Sequence, residues 1–100
     1  MPYTIEIADV AYDELEAINA FYLRQLVSAI EQQLPYEPTT ETKNRKALIG
    51  IQPDFEHETP VWELRVGQYR VFYDVNDEST TVFVRAIRLK PPQKTTEQIV

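Results

Sequence analysis

Basic side chains dominate the chemistry that this sequence can offer. Arg65 and Arg70 stand in a stretch that alternates apolar and polar residues. Arg85, Arg88 and Lys90 recur at close spacing further on, and Lys46 belongs to a third basic cluster with Lys43 and Arg45. Guanidinium and ammonium groups bind phosphate oxygens and stabilise charge that grows on them. Phe72, two residues after Arg70, adds an aromatic face of the kind on which bases stack. Glu63 is the one carboxylate inside the first basic stretch, suited either to pairing with Arg70 or to proton transfer. Other chemistries are excluded outright. The absence of cysteine removes disulfides, thiolate zinc sites, iron–sulfur clusters and cysteine nucleophiles. A lone histidine, His57, excludes an all-histidine metal site. No cofactor and no metal are expected.

The net charge of −6 argues against a nucleic-acid partner until it is divided along the chain. Residues 1–41 hold one basic side chain, Arg24, against eight acidic ones, whereas residues 42–100 hold nine basic against eight acidic. The stretch 80–94 carries four positive charges and no acid. An acidic first part is thus followed by a part containing two basic patches, and only the patches need meet a phosphate.

The elements that must position these residues follow from periodicity. Residues 3–7 alternate as a half-buried strand. Apolar residues then fall at helical spacing in two registers that meet around residues 19–22, predicting two antiparallel helices or one bent helix, with Asp9 able to cap the first. Pro35 and Pro38 end that pattern, and residues 35–60 read as loop, with a short edge strand within 46–51. Residues 61–66, 69–75 and 80–88 predict three strands of an antiparallel meander, joined at Gly67-Gln68 and at residues 76–79. Thr95 and Gln98 are spaced as a capping box for a short final helix. The expected fold class is α+β, a two-layer sandwich with helices on one side of an antiparallel sheet. Trp62, Leu64, Val66, Tyr69, Val71, Tyr73 and Val75 would face the helices. Glu63, Arg65, Arg70, Phe72 and Asp74 would occupy an opposite face that stays open, while the faces of the last strand are ambiguous.

At 100 residues, one domain over 1–100 is expected. No apolar run approaches the length of a membrane span. The opening residues MPYTIEIADV lack a basic region followed by an apolar stretch, so a soluble cytoplasmic protein is expected.

The run Trp62-Glu63-Leu64-Arg65-Val66-Gly67-Gln68-Tyr69-Arg70-Val71-Phe72-Tyr73-Asp74-Val75, the later Val82-Phe83-Val84 and the upstream Asn44-Arg45-Lys46-Ala47-Leu48 together resemble the RelE/ParE superfamily of type II toxin–antitoxin toxins. The likeness extends over nearly the whole chain. It implies a small toxin neutralised by a cognate antitoxin, forming a toxin–antitoxin hetero-oligomer or a homodimer. RelE-like members act in the ribosome as metal-independent endoribonucleases on mRNA, whereas the ParE branch inhibits DNA gyrase. Carried over residue by residue, the resemblance implies catalytic roles for Arg70 and for Arg88 or Lys90, while the basic open face adds Arg65 as a catalytic candidate and Arg85, Lys46 and Phe72 as substrate contacts. Three departures accompany it. Val61 and Glu63 stand about where the nucleases have lysines, and residues 91–100 contain no aromatic residue to stack on a base. The alternative expectation is therefore a non-enzymatic interaction protein of the same fold, either a gyrase inhibitor or a toxin that only binds its antitoxin.

Overall fold

Alternation in the meander and helical spacing before it produce the elements of the computed structural model, which describes residues 2–100. In chain order these are β1 (Thr4–Ile7), α1 (Asp9–Glu16), α2 (Ala20–Gln33), β2 (Arg45–Ala47), β3 (Trp62–Val66), β4 (Tyr69–Asn76), β5 (Thr81–Leu89) and α3 (Thr96–Ile99). They form a five-stranded sheet in the order β1-β5-β4-β3-β2. The fold is α+β, as expected, but the sheet is mixed: β1 runs parallel to β5 while the remaining pairs are antiparallel. A parallel neighbour needs a long connection, and α1, α2 and the segments after them supply it.

The helical pattern breaks where its two registers meet. Asn19 caps α2 by accepting a hydrogen bond from the Tyr22 N–H at 3.2 Å. Asp9 lies in the first turn of α1, with Ala8 at the cap position, so it acts through the helix dipole and not as the cap. Both helices bury their apolar stripe on one face of the sheet. Ala11, Leu15, Leu26, Ile30 and Leu34 pack there with Trp62, Leu64, Val71, Tyr73, Val82, Val84 and Ile87.

Tyr73 is fully buried in this core, and its hydroxyl donates to the Pro38 carbonyl at 2.6 Å, tying the loop after α2 to the sheet. Burial pushes the Tyr73 phenol well above its ordinary pKa. A raised phenol contributes stability that is complete below the unfolded value, near pH 10, and is lost as pH climbs beyond it. Tyr73→Phe is expected to cost about 1–3 kcal/mol at neutral pH, because the carbonyl loses its donor. That gap narrows above about pH 10, which urea denaturation at neutral and alkaline pH measures directly.

Besides the parallel β1 and the position of Asp9, two further features depart from the sequence reading. A register shift between Phe72 and Tyr73 pairs Phe72 with Ala86 but Tyr73 with Val84, leaving Arg85 as the extra residue of a β-bulge. The bulge reverses the alternation of β5, so that Val82, Val84 and Ile87 all join the helix-side core while Ala86 joins the other face. The second departure corrects the expected open face. Phe72 and Ala86 are covered by a second, smaller core of Phe55 and Val61, with Leu48, Ile99 and Val100 packed around it. Loop 48–61 and the segment after β5 carry apolar residues that can bury themselves only against this face.

Candidate functional site

One part of the second face escapes the cover. A cavity of about 270 Å³ opens there, between the turn before β2, the β3–β4 hairpin and the segment leading to α3. Its lining includes Lys43, Lys46, Glu63, Arg65, Arg70, Lys90 and Thr96. The turn at its rim is built by reciprocal backbone hydrogen bonds between Thr42 and Arg45, of 2.9 and 3.2 Å, and by the Thr42 hydroxyl accepting from the Asn44 N–H at 3.2 Å. The Arg65 N–H donates to the Asn44 carbonyl at 2.8 Å and joins this turn to β3. Lys43, part of the basic patch read from the sequence, thereby reaches the rim together with Asn44, which that reading did not place in the site. Arg45 also borders the cavity, but its Nη1 donates to the carbonyls of Gln33 and Glu37 at 3.1 and 2.8 Å, closing the end of α2.

The hairpin supplies the central charges. Arg65 and Arg70 are directly opposed across β3 and β4, a repulsive pairing that Glu63 on the same strand offsets. Arg70 is buried, and its Nη1 donates to the carbonyls of Gly67 and Tyr69, each at 2.9 Å. Gly67 adopts a φ of 60°, the left-handed conformation that lets the hairpin turn tightly enough to present its carbonyl. Burial lowers the Arg70 pKa, Glu63 opposes that shift and Arg65 adds to it; the guanidinium stays charged. Glu63 lies in the floor of the cavity with its side chain only 5% exposed. Its Oε2 accepts from the Thr96 hydroxyl at 2.7 Å and sits 3.8 Å from Arg70 Nε, while Oε1 is 3.7 Å from Lys46 Nζ. Lys90 is held at the rim by its backbone N–H, which donates to the Gln68 carbonyl at 2.7 Å.

The structure therefore gathers Arg65, Arg70, Lys90 and Lys46 from four positions in the chain into one groove. It separates the other three expected residues. Phe72 is fully buried beneath Phe55, so its ring has no face free for a base. Arg85 makes a two-point pair with Asp74, Nε to Oδ2 at 2.7 Å and Nη2 to Oδ1 at 3.1 Å, and a further contact to Glu56. The bulge turns Arg85 toward this carboxylate, and the hydrogen bond to Asp74 raises the Arg85 pKa against the opposing effect of burial. Arg88 lies outside the cavity lining. Its Nε is 2.8 Å from Glu14 Oε2, a charge contact at an angle too poor for a hydrogen bond, while its Nη1 donates to the Ile99 carbonyl and its guanidinium stands 5.6 Å from the Phe55 ring centre. The placements of these three outside the groove have one physical cause: buried or half-buried charges and rings find partners within the fold.

His57 is half-buried with Nδ1 2.8 Å from the Phe55 carbonyl, remote from the groove. Among the described residues no cluster of His, Cys, Asp and Glu forms a metal site, and no helix is long and apolar enough to cross a membrane.

Comparison with known proteins bears on this arrangement. No curated protein matches the chain. Among solved structures, it resembles the toxin–antitoxin complex RelBE2 from Mycobacterium tuberculosis, with a TM-score of 0.70, 25% identity, and coverage of 90% of this chain and all of that one (100%). It resembles a mutant of the E. coli toxin RelE in the free state with a TM-score of 0.62 and 28% identity over 90% of this chain and 84% of that one. The archaeal RelE–RelB complex from Pyrococcus horikoshii OT3 shares the fold, with a TM-score of 0.69 at 24% identity over 95% of this chain and 100% of that one. The family model described as the ParE toxin of the type II toxin–antitoxin system parDE matches residues 5–89, which span β1 to the end of β5. The chain belongs to the ParE toxin family, a type II toxin of the RelE/ParE superfamily.

Proposed function

We propose that this protein arrests translation by cutting mRNA on the ribosome, with residues 1–100 acting as a single toxin domain in the cytoplasm. The observation that carries the reading is the convergence of Lys43, Lys46, Arg65, Arg70 and Lys90 on one groove that has a carboxylate in its floor. Arg65, Arg70 and Lys90 bind the scissile phosphate and stabilise the negative charge that grows on its oxygens. Glu63 accepts the proton of the ribose 2′-hydroxyl as that oxygen bonds to phosphorus. The bond from phosphorus to the 5′-oxygen breaks, and that oxygen takes a proton from the Lys90 ammonium. The products are a 2′,3′-cyclic phosphate and a 5′-hydroxyl. A cognate antitoxin is the proposed partner, since the solved relatives include toxin–antitoxin complexes.

Induced expression is expected to stop growth and incorporation of labelled amino acids, with new 5′ ends appearing inside translated mRNA by primer extension. Unchanged growth overturns the assignment as an active toxin. A second reading is favoured by one specific observation, the match to the ParE family model. On that reading the protein inhibits DNA gyrase and cuts nothing. Growth arrest with intact mRNA and loss of gyrase supercoiling by purified protein selects it.

A further inference from the structure

Two buried ion pairs on the same sheet face differ in a way that points beyond ordinary scaffolding. Arg85 and Asp74 are closed on each other at 2.7 and 3.1 Å. Arg70 and Glu63 are comparably buried, lie on adjacent strands of the same face, and yet remain 3.8 Å apart at their nearest ionic atoms. At that distance the charges attract, but no hydrogen bond forms. Each partner is instead engaged elsewhere. Arg70 Nη1 is bound to the Gly67 and Tyr69 carbonyls, and Glu63 Oε2 accepts from the Thr96 hydroxyl.

Thr96 is delivered to that point by a well-anchored segment. Thr95 and Gln98 form a reciprocal capping box that sets the first turn of α3. Ile99 and Val100 pack against the second core, and the Ile99 carbonyl accepts from Arg88 at 3.3 Å. Thr95, Thr96, Gln98, Ile99 and Val100, which bring one side of each of these contacts, lie beyond residues 5–89, the part of the chain that the family match covers.

We propose that Thr96 is a positioning residue for the groove: its hydroxyl holds Glu63 off Arg70, so that both charges face a bound phosphodiester instead of closing on each other. The proposal rests on the reading of the groove as an RNA site and adds to it a residue that acts only through Glu63. A closed Arg70–Glu63 pair offers little field to an anion and occupies the proposed proton acceptor. The held-open pair is preorganised, with the cost of keeping the charges apart met by folding of the segment around α3.

The test uses Thr96→Val, which removes the hydroxyl while keeping the shape, and Thr96→Ser, which restores it. The first readout is the side-chain carboxyl carbon resonance of Glu63 in the free protein. It is expected to move in Thr96→Val and to return in Thr96→Ser. The second is affinity for a short single-stranded 2′-O-methyl oligoribonucleotide, expected to fall about tenfold in Thr96→Val, the size of one lost hydrogen-bonding arrangement, and to recover in Thr96→Ser. In a Glu63→Gln background the same valine substitution is expected to change affinity less than about twofold, because the residue acts through Glu63. An unmoved carboxyl resonance overturns the proposal, as does a tenfold loss that persists in the Glu63→Gln background. If the unaltered protein binds no oligoribonucleotide, the proposed function fails while the resonance still decides the role of Thr96. Should Thr96→Val not fold, Ile99→Ala loosens the same segment without touching the hydroxyl, and it is expected to move the Glu63 resonance in the same direction.

Discussion

If the groove cuts mRNA as proposed, Arg70→Ala is expected to lower ribosome-dependent cleavage by about 10²–10³-fold, the usual effect of removing one preorganised donor from developing charge, and to relieve growth arrest. The expectation follows from where the guanidinium sits. It is buried, fixed by two carbonyls of its own hairpin, and borders the cavity, so it needs no reorganisation when a phosphate arrives. Its loss also leaves Glu63 with the largely exposed Lys46 as its remaining close cation at 3.7 Å, so the carboxylate beside the groove is less fully compensated. Arg70→Lys keeps the charge but cannot reach both carbonyls and the phosphate with a single ammonium, so an intermediate rate is expected. Primer extension on ribosome-bound mRNA gives the rates, and thermal unfolding of each variant separates catalysis from stability. Cleavage that persists at full rate in a folded Arg70→Ala protein removes the groove as the site of chemistry.

The largest stability effect is expected at the opposite end of the same face. Arg85→Ala leaves the Asp74 side chain, 3% exposed, with the Glu58 N–H as its remaining hydrogen-bond partner. Breaking one side of a buried pair costs about 3–5 kcal/mol. In a domain of this size each kcal/mol moves the melting temperature by about 4–8 °C, so a fall of at least about 10 °C is expected by circular dichroism. The Asp74→Ala, Arg85→Ala double variant is expected to lose less than Arg85→Ala, because no charge is then left buried without a partner. The pH dependence carries a sign. The Arg85 pKa is raised, first by its hydrogen bond to Asp74. A cation with a raised pKa contributes stability that is complete below its unfolded value and declines only at pH above it. The Arg85 contribution therefore stays level between about pH 6 and pH 9, because unfolded arginine titrates above about 12. A destabilisation that vanished within that window would assign the loss to another group.

The elements were largely legible before the structure because each rests on local signals. Alternation in 61–75 records which side chains face the helices, and the break between two helical registers around residues 19–22 falls where α1 ends and α2 begins. The Thr95–Gln98 spacing announces a capping box that forms as expected. The site was legible only in part. Arg65, Arg70, Lys90 and Lys46 meet in the groove, but Arg85, Arg88 and Phe72 carry the same residue types in similar patterns and are consumed by the fold. Their partners, Asp74, Glu14 and Phe55, lie 11 or more residues away and are not implied by any period.

By itself the sequence determined the α+β class, the exclusion of cysteine, iron–sulfur and all-histidine metal chemistry, and the division into an acidic first part and a part with basic patches. Those properties depend on residue type and short-range spacing, which the chain carries openly. Tertiary structure decided the rest: the parallel docking of β1, the bulge that reverses β5, the covering of the second face, and the choice of which cations remain available. The physical reason is competition for burial and for counter-charges. An arginine can serve a ligand only if it still borders open space after carbonyls and carboxylates within the fold have taken some of its donors, as Arg70 does, and that depends on contacts between segments far apart in the chain. Glu63 and Thr96, 33 residues apart and joined by one hydrogen bond of 2.7 Å, are the clearest instance.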